Sequence, residues 1–118
     1  MRFSIVVGIL IGLTSAATDF AHADDKHALL IGCTRYPNVE RLPELYGPAN
    51  DIPLWHKLLT APSPGGFAFP EQNVQQLVGW PDDVSLRPTR ANIAAAFDSL
   101  IAKSQPDSQF VIVLSGHG

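Results

Sequence analysis

The chain alternates short apolar runs with longer segments of helical periodicity, in the order strand, helix, strand, helix, strand. The predicted strands are residues 26–33, 73–79 and 109–115, and the helical segments begin near Asn50 and Arg90. The second strand has the weaker pattern, because Gln75 and Gln76 interrupt its apolar residues. Strands that alternate with helices pair in parallel through right-handed crossovers, which places helices on the faces of the sheet. The order therefore predicts an α/β fold with a mainly parallel sheet.

Each predicted helix has its own start signal. Asn50 is a good N-cap for the first helix, with Pro53 tolerated in the first turn. Thr89 can cap the second helix, which should run from about Arg90 to Lys103. The apolar positions expected on one face of each helix are Ile52, Trp55, Leu58 and Leu59 in the first, and Ile93, Phe97, Leu100 and Ile101 in the second.

The last strand, residues 109–115, is apolar on both faces, because Phe110 to Leu114 are consecutive apolar residues. Central strands of parallel sheets are buried on both faces, whereas an apolar strand at a sheet edge is an aggregation site. We therefore expect this strand to be central, and the sequence to be the front part of a larger domain.

Residues 1–23 have the features of a signal peptide. They include a basic start at Arg2, an apolar run from Phe3 to Leu13 and the small-residue pattern Ala21-His22-Ala23. The apolar run is shorter than the roughly 20 residues that a membrane-spanning helix needs. The pattern predicts cleavage before Asp24 and an exported protein, periplasmic or secreted, without a membrane anchor after cleavage.

Composition and the absence of common motifs narrow the function. The formal net charge of −3 gives no basic patch for nucleic acid, and a single cysteine, Cys33, forms no intrachain disulfide. The chain contains no H-E-x-x-H, C-x-x-C, P-loop, G-x-G-x-x-G or G-x-S-x-G motif. Zinc, nucleotide and nucleophile-elbow chemistry is therefore disfavoured within these residues, and we assign no metal ligand.

The carboxyl ends of parallel strands are where ligands bind, and the last strand ends in Ser115-Gly116-His117-Gly118. Glycines on both sides of His117 let a substrate backbone approach the imidazole and the following amide. Imidazole transfers protons near neutral pH. The alternative to a catalytic role for His117 is a loop histidine that packs against its neighbouring glycines. The alternative to a substrate-pocket role for Ser115 is a hydroxyl that hydrogen-bonds to the local backbone. Cys33 follows an apolar run, and we expect it to pack into the sheet.

Five segments in order resemble the N-terminal half of the caspase-like cysteine peptidases, and the metacaspase branch most closely. They are "KHALLIGCTRYP", "LYGPANDIPLWHKLL", "GF" near residue 66, "PTRANI" and "LSGHG". The resemblance covers nearly all of residues 26–118. It implies a caspase-like three-layer fold, of which residues 24–118 would supply the N-terminal portion and which would be incomplete in this chain.

The resemblance also implies site residues. His117 matches the base of the catalytic dyad, and the amide of Gly118 an oxyanion donor. Asp51 and Ser115 match positions of the substrate pocket, although Pro48 stands where the family usually has cysteine. An acidic pocket favours arginine or lysine before the scissile bond. Some metacaspases need calcium, so the resemblance leaves a calcium requirement open without placing its ligands here.

Caspases that cleave after aspartate differ from this pattern, because their substrate pockets contain arginines. Arg35 and Arg41 lie near the relevant segments, but neither aligns with that role. We therefore predict that the expected protein or peptide substrate carries a basic residue before the scissile bond.

The family mechanism needs a cysteine nucleophile, and in caspases the histidine lies about 50 residues upstream of it. Counted from His117, the cysteine is expected near position ~167, beyond this sequence. The full-length protein is then a cysteine endopeptidase, and residues 24–118 alone are predicted to be inactive. No oligomeric state is implied.

Two other interpretations remain open. In an α/β-hydrolase, a strand followed by His-Gly supplies an oxyanion loop, and G-x-S-x-G should follow downstream. That interpretation leaves "PTRANI" and "PANDI" unexplained. The second is an exported caspase-like binding module with a degenerate site, for which a downstream strand would lack the cysteine.

Overall fold

The computed structural model describes residues 25–117, which form three strands and two longer helices. The elements in chain order are β1 (Lys26–Gly32), α1 (Gly47–Thr60), β2 (Val74–Val78), α2 (Arg90–Lys103) and β3 (Gln109–Ser115). No helix within this range is long and apolar enough to cross a membrane. The predicted signal peptide, residues 1–23, and Gly118 lie outside the described residues.

The three strands form one parallel sheet in the order β2-β1-β3. Ala28 of β1 pairs with Val74 on one side and with Val111 on the other. The prediction of an α/β fold with parallel strands is therefore confirmed, and the arrangement agrees with a partial caspase-like fold.

The hydrophobic core lies in two layers, one on each face of β1, because successive side chains of a strand point to opposite faces. The layer under α1 contains Ala28, Leu30, Ile52, Leu59, Phe69 and Val74. The layer under α2 contains Leu29, Ile31, Leu77, Ala96 and Leu100. Helix, sheet and helix thus form three layers with β1 at the centre, as the resemblance implied.

Helix α2 has the bounds predicted from the sequence. The hydroxyl of Thr89 accepts a hydrogen bond from the backbone N of Asn92 at 3.2 Å, which caps the helix. The Asn92 side-chain amide donates to the carbonyl oxygens of Val84 and Arg87, both at 2.8 Å. Asn92 therefore both completes the cap of α2 and holds the start of the helix against the preceding loop.

Helix α1 begins earlier than predicted. Its first residue is Gly47, so Asn50 lies inside the helix, and the N-cap residue Tyr46 makes no side-chain capping bond. Pro48 lies in the first turn, where its fixed φ suits the helix and its missing N–H is not needed. The prediction that Asn50 caps the helix was wrong because the proline starts the helix upstream of it, and Pro53 consequently lies in the interior.

The buried face of α1 is narrower than the apolar pattern predicted. Ile52 and Leu59 are buried, as expected. Trp55 and Leu58 are 41% and 40% exposed, so their assignment to the buried face was wrong. Together with Asp51 and Leu54, these two residues line a surface depression of about 150 Å³.

Strand β3 lies at the edge of the described sheet, and its predicted central position in a larger domain stays a prediction. Within residues 25–117 it pairs with β1 alone, and β1 is the central strand. Val111 and Val113 pack against the core layer under α1. On the opposite face Ile112 and Leu114 are exposed, because α2 lies over β1 and β2.

Core packing around β1 should dominate the stability of the domain. Leu30→Ala removes a side chain that is fully buried, so we expect the free energy of unfolding to fall by about 2–5 kcal/mol. Leu54→Ala is the matched control, because Leu54 is 67% exposed and its truncation should change stability by less than about 0.5 kcal/mol. Urea unfolding of both variants measures the difference. Equal losses would contradict the assignment of β1 to the core.

Candidate active site

The carboxyl ends of the three strands are joined by backbone hydrogen bonds that continue the sheet. The backbone N of Cys33 donates to the carbonyl oxygen of Ser115 at 2.8 Å, and that of Gly79 donates to Gly32 at 2.9 Å. The loop after β1 and the loop after β3 therefore lie side by side. Most of the candidate residues predicted from the sequence fall on this edge or next to it.

His117 lies two residues beyond the end of β3 and is exposed. Its backbone N–H donates to the hydroxyl oxygen of Tyr36 at 2.7 Å. The two rings are tilted at 60° with their centroids 5.4 Å apart. The histidine thus contacts the loop after β1 through both its backbone and its ring.

A concavity of about 440 Å³ surrounds this contact. Its lining residues are Ile31, Cys33, Tyr36, Leu114, Ser115, Gly116 and His117. The lining combines the end of β1, the end of β3 and the first residues of both following loops. The exposed imidazole of His117 therefore borders an open concavity at the carboxyl ends of β1 and β3.

The structure brings together the two residues that the sequence suggested for a substrate pocket. The hydroxyl of Ser115 donates to Asp51 Oδ2 at 3.0 Å, although the two lie 64 positions apart in the chain. Asp51 is exposed on α1, and no lysine or arginine among the described residues forms an ion pair with it. Its carboxylate therefore has acceptor capacity for a cationic group from outside.

A second concavity, of about 360 Å³, lies on the β2 side of Tyr36 and includes Arg35, Glu44 and Trp80 in its lining. Arg35 Nε lies 3.3 Å from Glu44 Oε1. This ion pair partly neutralises the cation. Arg35 is therefore a poor candidate for binding an acidic substrate residue, in agreement with its failure to align with the pocket arginines of caspases.

A sequence comparison now identifies the family. The family model for the metacaspase, peptidase C14 domain matches residues 26–118. The chain belongs to this family. No significant match was found among curated proteins or solved structures. The match confirms the resemblance to the N-terminal part of a caspase-like domain and places the chain in a family of cysteine peptidases.

Cys33 of this metacaspase domain shares the concavity with His117 but is half-buried. Burial raises the pKa of the Cys33 thiol above its ordinary value, and a hydrogen bond with Tyr36 partly opposes that effect. A thiol with a raised pKa is mostly protonated at neutral pH and is a weak nucleophile. These properties favour the predicted packing role for Cys33 over a catalytic one.

Tyr36 contacts His117 but was not predicted from the sequence as a site residue. It lies in the metacaspase segment "KHALLIGCTRYP", at the same edge as His117, and that position is the only sequence signal for it. Gly118, the predicted oxyanion donor, falls outside the described residues. Among residues 25–117, no group of three or more His, Cys, Asp and Glu side chains is arranged to hold a metal ion.

The raised pKa of Cys33 should appear in its alkylation by iodoacetamide. Because only the thiolate reacts, the midpoint of the pH–rate profile should lie above that of the same protein unfolded in urea. Mass spectrometry of the alkylated protein supplies the rates at each pH. A midpoint below that of the unfolded protein would identify Cys33 as an activated thiolate and contradict its packing role.

Proposed function

We propose that this metacaspase domain supplies the general base and the acidic substrate pocket of an endopeptidase that cleaves after arginine or lysine. The observation that carries the proposal is the end of β3, where Ser115 binds Asp51 and His117 follows two residues later. In this arrangement Asp51 would bind the basic side chain of a substrate residue, while His117 would lie near the scissile carbonyl of that same residue.

The nucleophile in this proposal is a cysteine located after Gly118, because Cys33 is half-buried and its pKa is raised. The His117 imidazole accepts the proton of that thiol, and the thiolate attacks the scissile carbonyl carbon. Backbone amides, with Gly118 among them, hold the resulting oxyanion. Protonated His117 then donates its proton to the leaving amine. As the C–N bond breaks, the amine leaves and the acyl group stays on the cysteine sulfur as a thioester. Water, deprotonated by His117, then attacks the thioester carbonyl carbon, the C–S bond breaks to release the carboxylic acid product, and His117 returns the proton to the sulfur.

The preference for a basic residue rests on the charges near the end of β3. The Asp51 carboxylate is oriented by the Ser115 hydroxyl and has no cationic partner among residues 25–117. Guanidinium and ammonium groups bind such a carboxylate through charge-assisted hydrogen bonds. Arg35, in the loop after β1, is paired with Glu44.

The signal-peptide pattern of residues 1–23 supports export, so we place the enzyme in the periplasm or outside the cell, acting on proteins or peptides. The family resemblance leaves a calcium requirement open. Residues 24–118 without the nucleophile should have no peptidase activity.

The role of His117 is tested in the protein extended past Gly118. His117→Ala should lower kcat/KM for an arginine reporter peptide by at least about 100-fold, since general acid–base catalysis contributes about 10²–10⁴-fold. His56→Gln is the matched control, because His56 pairs with Glu71 at 2.8 Å, next to the amino-terminal end of β2. Undiminished turnover in His117→Ala would refute the base assignment. Peptide binding without turnover in the unaltered protein would favour the binding module instead.

The role of Asp51 is tested by charge removal. Asp51→Asn should raise KM for arginine and lysine reporters about 10- to 100-fold, because a charge-assisted hydrogen bond is lost. Asp98→Asn, on exposed α2 surface, is the control and should leave KM unchanged. Steady-state kinetics on arginine, lysine and aspartate reporters give the comparison. Preferential cleavage of the aspartate reporter by the unaltered enzyme would overturn the proposed specificity.

A further inference from the structure

The hydroxyl of Tyr36 connects the two loops that form the candidate active site. It accepts a hydrogen bond from the backbone N of His117 at 2.7 Å, across 81 positions of the chain. It also makes a side-chain hydrogen bond with Cys33. A tyrosine hydroxyl has one donor and accepts as well, so both bonds form at once. The Tyr36 hydroxyl thus lies between the end of β1 and the loop after β3.

Gly116 provides the space for this contact. A Cβ atom on Gly116 would overlap the Tyr36 hydroxyl and lie 3.2 Å from the Cβ of Cys33. Any other residue at this position would force the tyrosine or the loop to move. The glycine before the histidine therefore has a packing reason that is independent of substrate access.

The loop that carries Tyr36 is itself fixed to the sheet. The backbone N of Cys33 donates to Ser115 at 2.8 Å, and the backbone N of Leu45 donates to the carbonyl oxygen of Thr34 at 2.9 Å. Thr34 is buried. Tyr36 thus lies in a loop whose two ends are joined by a backbone hydrogen bond beside buried Thr34, whereas His117 follows an edge strand of the described sheet and is preceded by a glycine, which has wide conformational freedom.

We propose that Tyr36 is a positioning residue for His117, holding its backbone through the hydroxyl and bordering its imidazole with the ring. This inference rests on the proposed function of His117 as the base. Tyr36 acts through the histidine and not on the substrate. A displacement of about 1 Å in a catalytic group can cost about 100-fold in rate, so a contact that fixes the base affects turnover directly.

Amide hydrogen exchange in the unreacted protein tests the contact without any need for activity. Tyr36→Phe removes only the hydroxyl, and we expect the His117 amide to exchange about 3- to 10-fold faster, the range that corresponds to one hydrogen bond. The His117 imidazole resonances should also shift, while the amide of Leu30 in the core keeps its exchange rate. Tyr46→Phe is the matched control, because Tyr46 is 77% exposed. Unchanged exchange and unchanged imidazole resonances in Tyr36→Phe would overturn the inference.

Kinetics in the protein extended past Gly118 separate this inference from the proposed function. Tyr36→Phe should lower kcat about tenfold or more and leave KM for the arginine reporter unchanged, since Asp51 is untouched. Full turnover in His117→Ala would mean that the proposed function is wrong. Turnover that depends on His117 but is unaffected by Tyr36→Phe would mean that the positioning role is wrong.

Discussion

Parallel pairing of β1 with a strand on each side decides where the chemistry of this domain lies. β1 is buried on both faces and hydrogen-bonded along both edges, so its position is fixed by the core. Its pairing with β3 continues past the strand through Cys33 and Ser115. Because both strands run in the same direction, the loops that follow them meet at one edge. The register of these strands therefore determines which side chains from distant parts of the chain become neighbours.

Three contacts lie at this edge of the sheet, and the first two depend on that register. Ser115 reaches Asp51 on α1, His117 reaches Tyr36, and Tyr36 reaches Cys33. The first contact orients the Asp51 carboxylate and the second holds the backbone of His117. The third lies within the loop after β1, where burial raises the pKa of the Cys33 thiol. A slip of β3 by one residue would reverse its faces and break the first two contacts together. The proposed pocket residue Asp51 and the proposed base His117 are thus coupled through a single strand end.

Much of this arrangement is visible in the sequence, and the exceptions have physical causes. Helix α2 was predicted with its bounds because Thr89 and the apolar spacing both point to them. The start of α1 was missed because Pro48 can begin a helix before the better capping residue, Asn50, is reached. The central position expected for β3 in a larger domain stays a prediction, because within residues 25–117 it pairs with β1 alone. Tyr36 was missed because its contact with His117 depends on strand register, which leaves no local pattern.

Covalent trapping of the protein extended past Gly118 tests the dyad most directly. An arginyl peptide chloromethyl ketone alkylates the cysteine that the base activates, and mass spectrometry of the digested protein locates the label. We expect a single labelled cysteine after Gly118, and no label there in His117→Ala. A label on Cys33, or equal labelling in His117→Ala, would contradict a dyad in which His117 activates a downstream thiol.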